Sequence, residues 1–455
     1  MRYEITPQKL LKTVIENNYC SGCGICTASK QSAFKMHLTE NGQYLPQLIN
    51  QENPGLLVCP FADHPTDETE IARNLYANET TRYNPEFGYY KNIYAGYVAE
   101  GNFRLQGSSG GSVSWLTQKL LNEKLVDFVI NVAEQNKPFI RFKYQVTRDL
   151  QSNKKASKSK YYPTNLEEVL KFIKTHKGRY ALVGLPCYIK GIRLLQQTDP
   201  IFAKRIIYTI GIFCGHLKST HYLSSLIAQF PVKESEVKHF NFRYKLPDRK
   251  VGDYGTKLID AENVSYTKPN NKLFGTNWGW GLFKLKACDY CDDIIGETAD
   301  ISFGDAWIPK FENDYKGTNV IVTRHPVLDN LIRKNMEQGH LHYENMSPEV
   351  LIQSQAGGFR HRREGLAYRL YLQQKKGNFT PVKRVHPEKI KSKKRRKIYK
   401  IRMQLQEKSF YSKHYKNIPE LKKELQPLIH KLEQVYEHSQ WTKFRLKLKK
   451  WFKRK

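Results

Sequence analysis

The stretch "RYALVGLPCYIKGIRLL" (Arg179–Leu195) decides the fold. Its first part is an apolar run without polar alternation, the form of a strand covered on both faces. A Gly-Leu-Pro turn ends that strand, and a helix follows, with Cys187 at the turn. "RIIYTIGIFCGHL" (Arg205–Leu217) reads as a second buried strand that ends at Cys214. Upstream, a strand over about 93–98 leads into the Gly/Ser-rich "GSSGG" loop. An amphipathic helix follows, with Val113, Leu116, Leu120 and Leu121 on one face, and then a strand in "VDFVINV". Strands thus alternate with helices from about residue 90 to 220, which predicts an α/β body.

The chain has 455 residues, too long for one ordinary core, so roughly two to four domains are expected. Eight cysteines are too few for a disulfide scaffold of this size. "MRYEITPQKL" lacks the apolar core of a signal peptide, and "YALVGLP" and "IIYTIGIF" fall short of a membrane span. The expectation is a cytoplasmic protein in a reducing compartment, where clustered cysteines bind metal. Net charge is +32, and from Glu388 onward there are 23 Lys and Arg against 6 acids. That balance predicts attraction to acidic lipid, nucleic acid or a phosphorylated substrate.

"YCSGCGICTASK" carries Cys20, Cys23 and Cys26, and "LLVCPFAD" adds Cys59 before a proline. The C-x2-C-x2-C turn followed by a remote Cys-Pro resembles a bacterial ferredoxin [4Fe–4S] site. Lys30 stands where a two-cluster ferredoxin carries another cysteine, so one cluster is expected here. "MHLTENGQYLPQL" between them reads as a short hairpin. The alternative is a zinc site with four cysteine ligands. The other cysteines are Cys187, Cys214 and the C-x2-C knuckle Cys288–Cys291. Strand-end loops of an α/β sheet gather on one edge, so these four can meet although they are far apart in sequence. Taken singly, Cys187 and Cys214 read more readily as ordinary buried cysteines; the quartet they make with the knuckle makes a second metal site an equal alternative.

Gly110 and Gly111 at a helix N-terminus can cradle a phosphate, with Ser108, Ser109 and Ser112 as added hydroxyl donors. A plain glycine turn with a serine cap is the alternative. In "SKSKYYPTNLEEVLKFIK", Thr164 with Glu167 predicts a capping box, and Ser159, Lys160 and Tyr161 precede it.

Together with "SKYY", "VGLPC", "FCGH", "CDYCDD", "ADISFGDAW" and "SQAGGFRHRREG", these motifs resemble the beta subunits of coenzyme F420 hydrogenases and dehydrogenases, over about residues 20–363. The resemblance implies an iron–sulfur flavoprotein oxidoreductase. A donor such as ferredoxin would pass electrons through two [4Fe–4S] clusters to FAD, and coenzyme F420 or an organic substrate would accept hydride. It implies that Cys20, Cys23, Cys26 and Cys59 hold one cluster and Cys187, Cys214, Cys288 and Cys291 the other. Ser108, Ser109, Gly110, Gly111, Ser112, Ser159, Lys160 and Tyr161 would contact the flavin. "NFRYK" (Asn241–Lys245) resembles a basic stretch near that pocket, and otherwise reads as a solvated edge strand. "GLPC" replaces the commoner "GTPC", losing a hydroxyl. No residue is singled out as catalytic. Bacterial relatives imply a link to surface-polysaccharide synthesis, which no residue here encodes. The competing class, a zinc-stapled basic nucleic-acid-binding protein, does not account for the ordered flavin motifs, so no nucleic-acid partner is expected. A non-catalytic electron-transfer subunit is a further alternative.

The expected architecture is α/β, α+β overall. A ferredoxin-like module (1–75) precedes a mixed-sheet flavin-binding body (76–175 and 176–380), which a basic helical extension follows (381–455). In "WTKFRLKLKKWFKRK", Trp441, Phe444, Leu448, Trp451 and Phe452 fall at helical spacing among lysines, the form of an interfacial helix for an anionic membrane surface. A solvated, partly disordered tail is the alternative.

Overall fold

The computed structural model describes residues 5–29, 31–50, 57–63, 66–135, 141–247 and 249–452. Lys30 and the side chains of Trp441, Phe444, Leu448, Trp451 and Phe452 lie outside the described residues.

The expected hairpin forms near the N-terminus as β1 (Phe34–Leu38) and β2 (Tyr44–Leu48). A second small hairpin pairs β3 (Arg82–Asn84) with β4 (Gly88–Tyr90). The main strands follow: β5 (Asn92–Val98), β6 (Phe128–Glu134), β7 (Phe142–Thr147), β8 (Tyr180–Gly184) and β9 (Ile206–Ile212). A separate three-stranded sheet is built from β10 (Val237–Tyr244), β11 (Gly255–Asp260) and β12 (Ser265–Pro269). The last strands are β13 (Ile301–Asp305), β14 (Asn319–Thr323) and β15 (Leu341–Asn345).

One sheet of eight strands, ordered β15-β5-β14-β13-β9-β8-β6-β7, takes strands from both the 76–175 and 176–380 segments. Its centre, β6-β8-β9-β13, is parallel, and antiparallel strands close both sides. The apolar run of β8 explains its place. Tyr180 and Leu182 pack on one face with Leu170, Ile189 and Ile192. Ala181 and Val183 pack on the other with Trp115, Leu116 and Leu120 of the helix Ser112–Asn122. A strand covered on both sides has no solvent face to mark with polar residues.

The capping box expected at Thr164 and Glu167 does not form. The helix Glu167–Thr175 starts after Leu166 with no side-chain cap. The Tyr188 hydroxyl donates to the Thr164 carbonyl at 2.5 Å. The Glu167 carboxylate accepts the Met36 N–H at 3.0 Å and the Lys171 ammonium at 2.7 Å. The docked hairpin brings a buried N–H to Glu167, and leaving that donor unpaired would cost more than a cap returns.

The tail is helical as expected, and its described part is not the solvated alternative. Lys393–Tyr411 and Ile418–Phe452 are helices, and up to Val435 they are packed rather than solvated. Ile398, Ile401, Leu405, Leu421, Leu425 and Ile429 share one core with Leu282 and Phe283. The Phe283 N–H donates to the Ser409 hydroxyl at 2.9 Å, and the Gln406 amide donates to the Lys284 carbonyl at 2.8 Å. No helix among the described residues is long and apolar enough to cross a membrane.

Candidate functional site

The first four cysteines converge. Gly22 and Gly24 adopt positive φ, which turns the chain back between Cys20, Cys23 and Cys26. A Cβ at Gly22 would stand 2.7 Å from the Tyr44 carbonyl oxygen, so the turn accepts only glycine against the hairpin. Cys20, Cys23, Cys26 and Cys59 line one small cavity with Leu10, Val14, Met36, Val58 and Phe61. Burial pushes the Cys23 thiol up to about 12, and the charge of Cys59 adds to the rise.

The other four converge as well. Cys187 lies in the first turn of the helix Pro186–Thr198, and Cys214 follows β9. Cys288 sits in the short turn Lys286–Tyr290, and its sulfur accepts the Leu217 N–H at 3.1 Å. Burial raises the Cys187 thiol well above its ordinary value, and the charges of Cys291, Cys214, Cys23 and Cys288 add to it. Cys187 packs against the core that holds Cys23 and Cys288 and against the core that holds Cys26, so the two groups of cysteines adjoin.

The sequence reading missed the part played by Arg362, although "SQAGGFRHRREG" was in view. Fully buried, it donates to the carbonyls of Asp293 (2.9 Å), Cys214 (2.6 Å) and Gly215. Burial works against its charge, but Cys291, Cys214 and Cys288 outweigh that and hold it protonated. A buried arginine beside three of these cysteines suits a group that is negative when bound.

Among the described residues, no set of three or more His, Cys, Asp or Glu is arranged to hold a single metal ion. A tetrahedral zinc would draw its sulfurs to within about 3.8 Å of one another, given Zn–S bonds of ~2.3 Å. The first group instead lines an apolar-walled cavity with Leu10, Val14, Val58 and Phe61, and thiolate-only donor sets suit an iron–sulfur cluster.

The third element is a cavity of about 950 Å³ at the carboxyl ends of the parallel strands, within the usual range of cofactor sites. Ser108, Ser109, Gly111, Ser112, Ser159, Lys160, Tyr161 and Cys214 all line it. The Ser159 N–H donates to the Ser108 hydroxyl at 2.8 Å, so the two predicted segments meet. Gly110 is not part of the lining. A Cβ there would stand 2.8 Å from both the Gly96 carbonyl and the Asn319 side-chain oxygen, so this glycine serves packing against the sheet. Two of the three serine hydroxyls expected as free donors are committed elsewhere, while among the described residues the Ser108 hydroxyl only accepts. Ser109 donates to the Thr318 carbonyl at 3.0 Å and Ser112 to Asn319 at 2.7 Å. Asn319 also takes the Ser112 N–H at 3.2 Å. Tyr343 bonds the Ser112 hydroxyl in turn.

Charge at the cavity comes from elsewhere. Arg243 of "NFRYK" is buried on β10, not on a solvated edge, and pairs with Asp305 of "GDAW" at 2.7 Å. Its Nε and Nη2 are buried without a partner. The Lys245 ammonium donates to the Ser109 carbonyl at 2.8 Å. Burial lowers Lys158 to about 8 and Lys160 to about 7. Ten Lys and Arg against two Asp line the cavity among the described residues. Unpaired buried donors and an excess of cations fit an anionic cofactor such as FAD.

Residues 93–171 match the family model for the coenzyme F420 hydrogenase/dehydrogenase beta subunit N-terminal region, and residues 177–349 match the one for its C terminus. The chain belongs to this beta-subunit family. It is 24% identical over 313 residues to a coenzyme F420-dependent sulfite reductase of Methanocaldococcus jannaschii. That match covers 65% of this chain but only 43% of that relative's length. An uncharacterised protein of the same organism is 25% identical over 249 residues, covering 53% of this chain and 83% of that protein. In the F420-reducing [NiFe] hydrogenase complex of Methanosarcina barkeri, one chain is similar with a TM-score of 0.49 at 16% identity. It covers 64% of this chain and 96% of that one. The beta-subunit match ends at residue 349, before Arg362 and before both tail helices.

Proposed function

We propose that this beta-subunit homologue is an iron–sulfur flavoprotein oxidoreductase. It would take electrons from a ferredoxin-type donor and exchange hydride with a deazaflavin or an organic substrate. The observation that carries this reading is one of adjacency. The first cysteine group adjoins the second where Cys187 packs with Cys23 and Cys26, and Cys214 of the second lines the cavity that the "GSSGG" loop enters. When bound, iron–sulfur clusters supply one-electron transfer and a flavin supplies the conversion to hydride chemistry.

Cys20, Cys23, Cys26 and Cys59 would hold the entry cluster, and Cys187, Cys214, Cys288 and Cys291 the inner one. Leu10, Val14, Val58 and Phe61 keep water from the first group. Arg362 fixes the backbone around Cys214 and supplies positive charge beside the second. Lys158, Lys160 and Arg243 would meet the phosphates of the flavin. Asp305 and Gln355 hold that wall: Arg243 is anchored by Asp305, whose carbonyl accepts the Gln355 amide at 2.7 Å. The residues from 438 onward would hold the enzyme reversibly at an anionic membrane surface.

Anaerobically purified full-length protein should be brown-yellow. About eight iron and eight sulfide atoms per chain are expected, with one releasable FAD. A colourless, zinc-loaded preparation would sink this reading and favour a zinc-stapled binding protein.

A further inference from the structure

Five residues of the cavity wall come from the tail helices: Arg395, Tyr399, Arg402, Met403 and Tyr436. All lie beyond the family match, which ends at residue 349. Arg395 is spent on Glu364 at 2.8 Å and on the Tyr399 hydroxyl. Arg402 is not spent in this way. Its Nη2 donates to the Tyr436 hydroxyl at 2.9 Å, while its Nε is buried with no partner. Among the described residues no carboxylate pairs with it. A Cβ on Gly279 would stand 3.3 Å from that Nη2, so the guanidinium lies against a bare stretch of backbone.

The preceding residue, Trp278, ties this corner to the rest of the cavity. Its ring lies 4.4 Å from that of His216 and 4.7 Å from that of Tyr161. The Lys218 ammonium sits 4.9 Å over it. His216 Nε2 is buried and has no partner either. The Lys218 ammonium already donates to the Leu282 carbonyl, but the buried Arg402 Nε lacks an acceptor, and His216 Nε2 joins it as a second unpaired donor in its Nε2–H tautomer. An uncompensated buried donor is costly, and an oxyanion relieves several at once.

We infer that Arg402 and Tyr436, with His216, form an oxyanion subsite contributed by the C-terminal helices. It takes a phosphate or carboxylate of the molecule that exchanges reducing equivalents in this cavity. That the ligand is the redox partner rests on the function proposed above; the subsite itself does not.

Calorimetric titration of the full-length protein as purified, with inorganic phosphate and separately with malonate, tests it. Wild type, Arg402→Met, Tyr436→Phe and Lys400→Met are compared. Lys400 is exposed on the same helix and absent from the cavity wall, so its substitution removes the same charge from outside the site. Arg402→Met should bind one or both anions roughly tenfold more weakly, about 1.4 kcal/mol. Tyr436→Phe should lose a smaller factor, and Lys400→Met should match wild type. A loss confined to phosphate assigns a phosphate ligand, and one confined to malonate a carboxylate. No binding by wild type overturns the inference, as does equal binding by Arg402→Met or an equal loss in Lys400→Met. If Arg402→Met does not fold, Tyr436→Phe decides, and unchanged affinity there overturns it. Colour and iron content of the same samples report separately on the redox reading. Colourless protein with Arg402-dependent binding would sink that reading and leave the subsite standing.

Discussion

Single side chains divide the labour of this site. Cys26 and Cys288 have the same chemistry in different surroundings: Cys26 belongs to the N-terminal cavity, whereas Cys288 accepts an N–H next to Arg362. Cys26→Ser and Cys288→Ser should each lose about four of about eight iron atoms, with flavin retained in the first. Cys26→Ser should slow reduction by an external donor, whereas Cys288→Ser should block transfer to the flavin, read by anaerobic stopped-flow absorbance. Unchanged iron in Cys288→Ser would remove the second cysteine group from the scheme. The lysines at the other wall make a prediction about protons. Burial holds Lys160 at about 7 and Lys158 at about 8, below the ordinary lysine value near ~10.4. An anionic cofactor beside them restores the charged form and raises both values. Between about pH 7 and 10 the bound state then holds more protons than the free state, so affinity falls as pH rises through that window. Calorimetry of FAD binding at pH 8 in two buffers of different ionisation enthalpy should register net proton uptake. Proton release, or none, would exclude these lysines as phosphate partners.

Elements explain what single residues do not. The helix Pro186–Thr198 presents Gly191 to Ile25, where a Cβ would stand 2.8 Å from the side chain; this close approach docks the N-terminal cysteine turn on the main sheet. The tail helix Lys393–Tyr411 is bound as firmly. Leu405 is fully buried among Ile401, Leu421, Leu425 and Phe283. Leu405→Ala should cost about 2–5 kcal/mol, the range for a cavity left in a packed core. Urea unfolding of the full chain, followed by circular dichroism and by limited proteolysis of the tail, reads the loss. An unchanged midpoint would mean the helix is not part of the fold. Its basic run was visible in the sequence, but its apolar positions are diluted by so many Lys and Arg that a solvated helix read equally well.

On the scale of the whole molecule, about half of the +32 charge lies in the last seventh of the chain, beyond Glu388. Each Lys or Arg near an anionic leaflet contributes roughly 1 kcal/mol. The full chain should therefore co-sediment with phosphatidylserine-containing vesicles at low salt, and a chain ending at Glu437 should not, while keeping its absorption spectrum. Equal sedimentation of both would move the contact to the body, and sedimentation of neither would leave the tail without a membrane role. The sequence alone determined whatever is local. The Cys-x2-Cys-x2-Cys turn, the β1–β2 hairpin, the buried β8 strand and the loop before Ser112 each depend on near neighbours, and each carries its own pattern. The tertiary structure decided what depends on long-range partners. It set Arg362 beside Cys214, turned Ser109 and Ser112 to Thr318 and Asn319, released Glu167 from its cap to Met36, and brought Arg402 to the cavity wall. The surroundings of each of these side chains come from segments far away in sequence, so only the packing of those segments determines what each one meets.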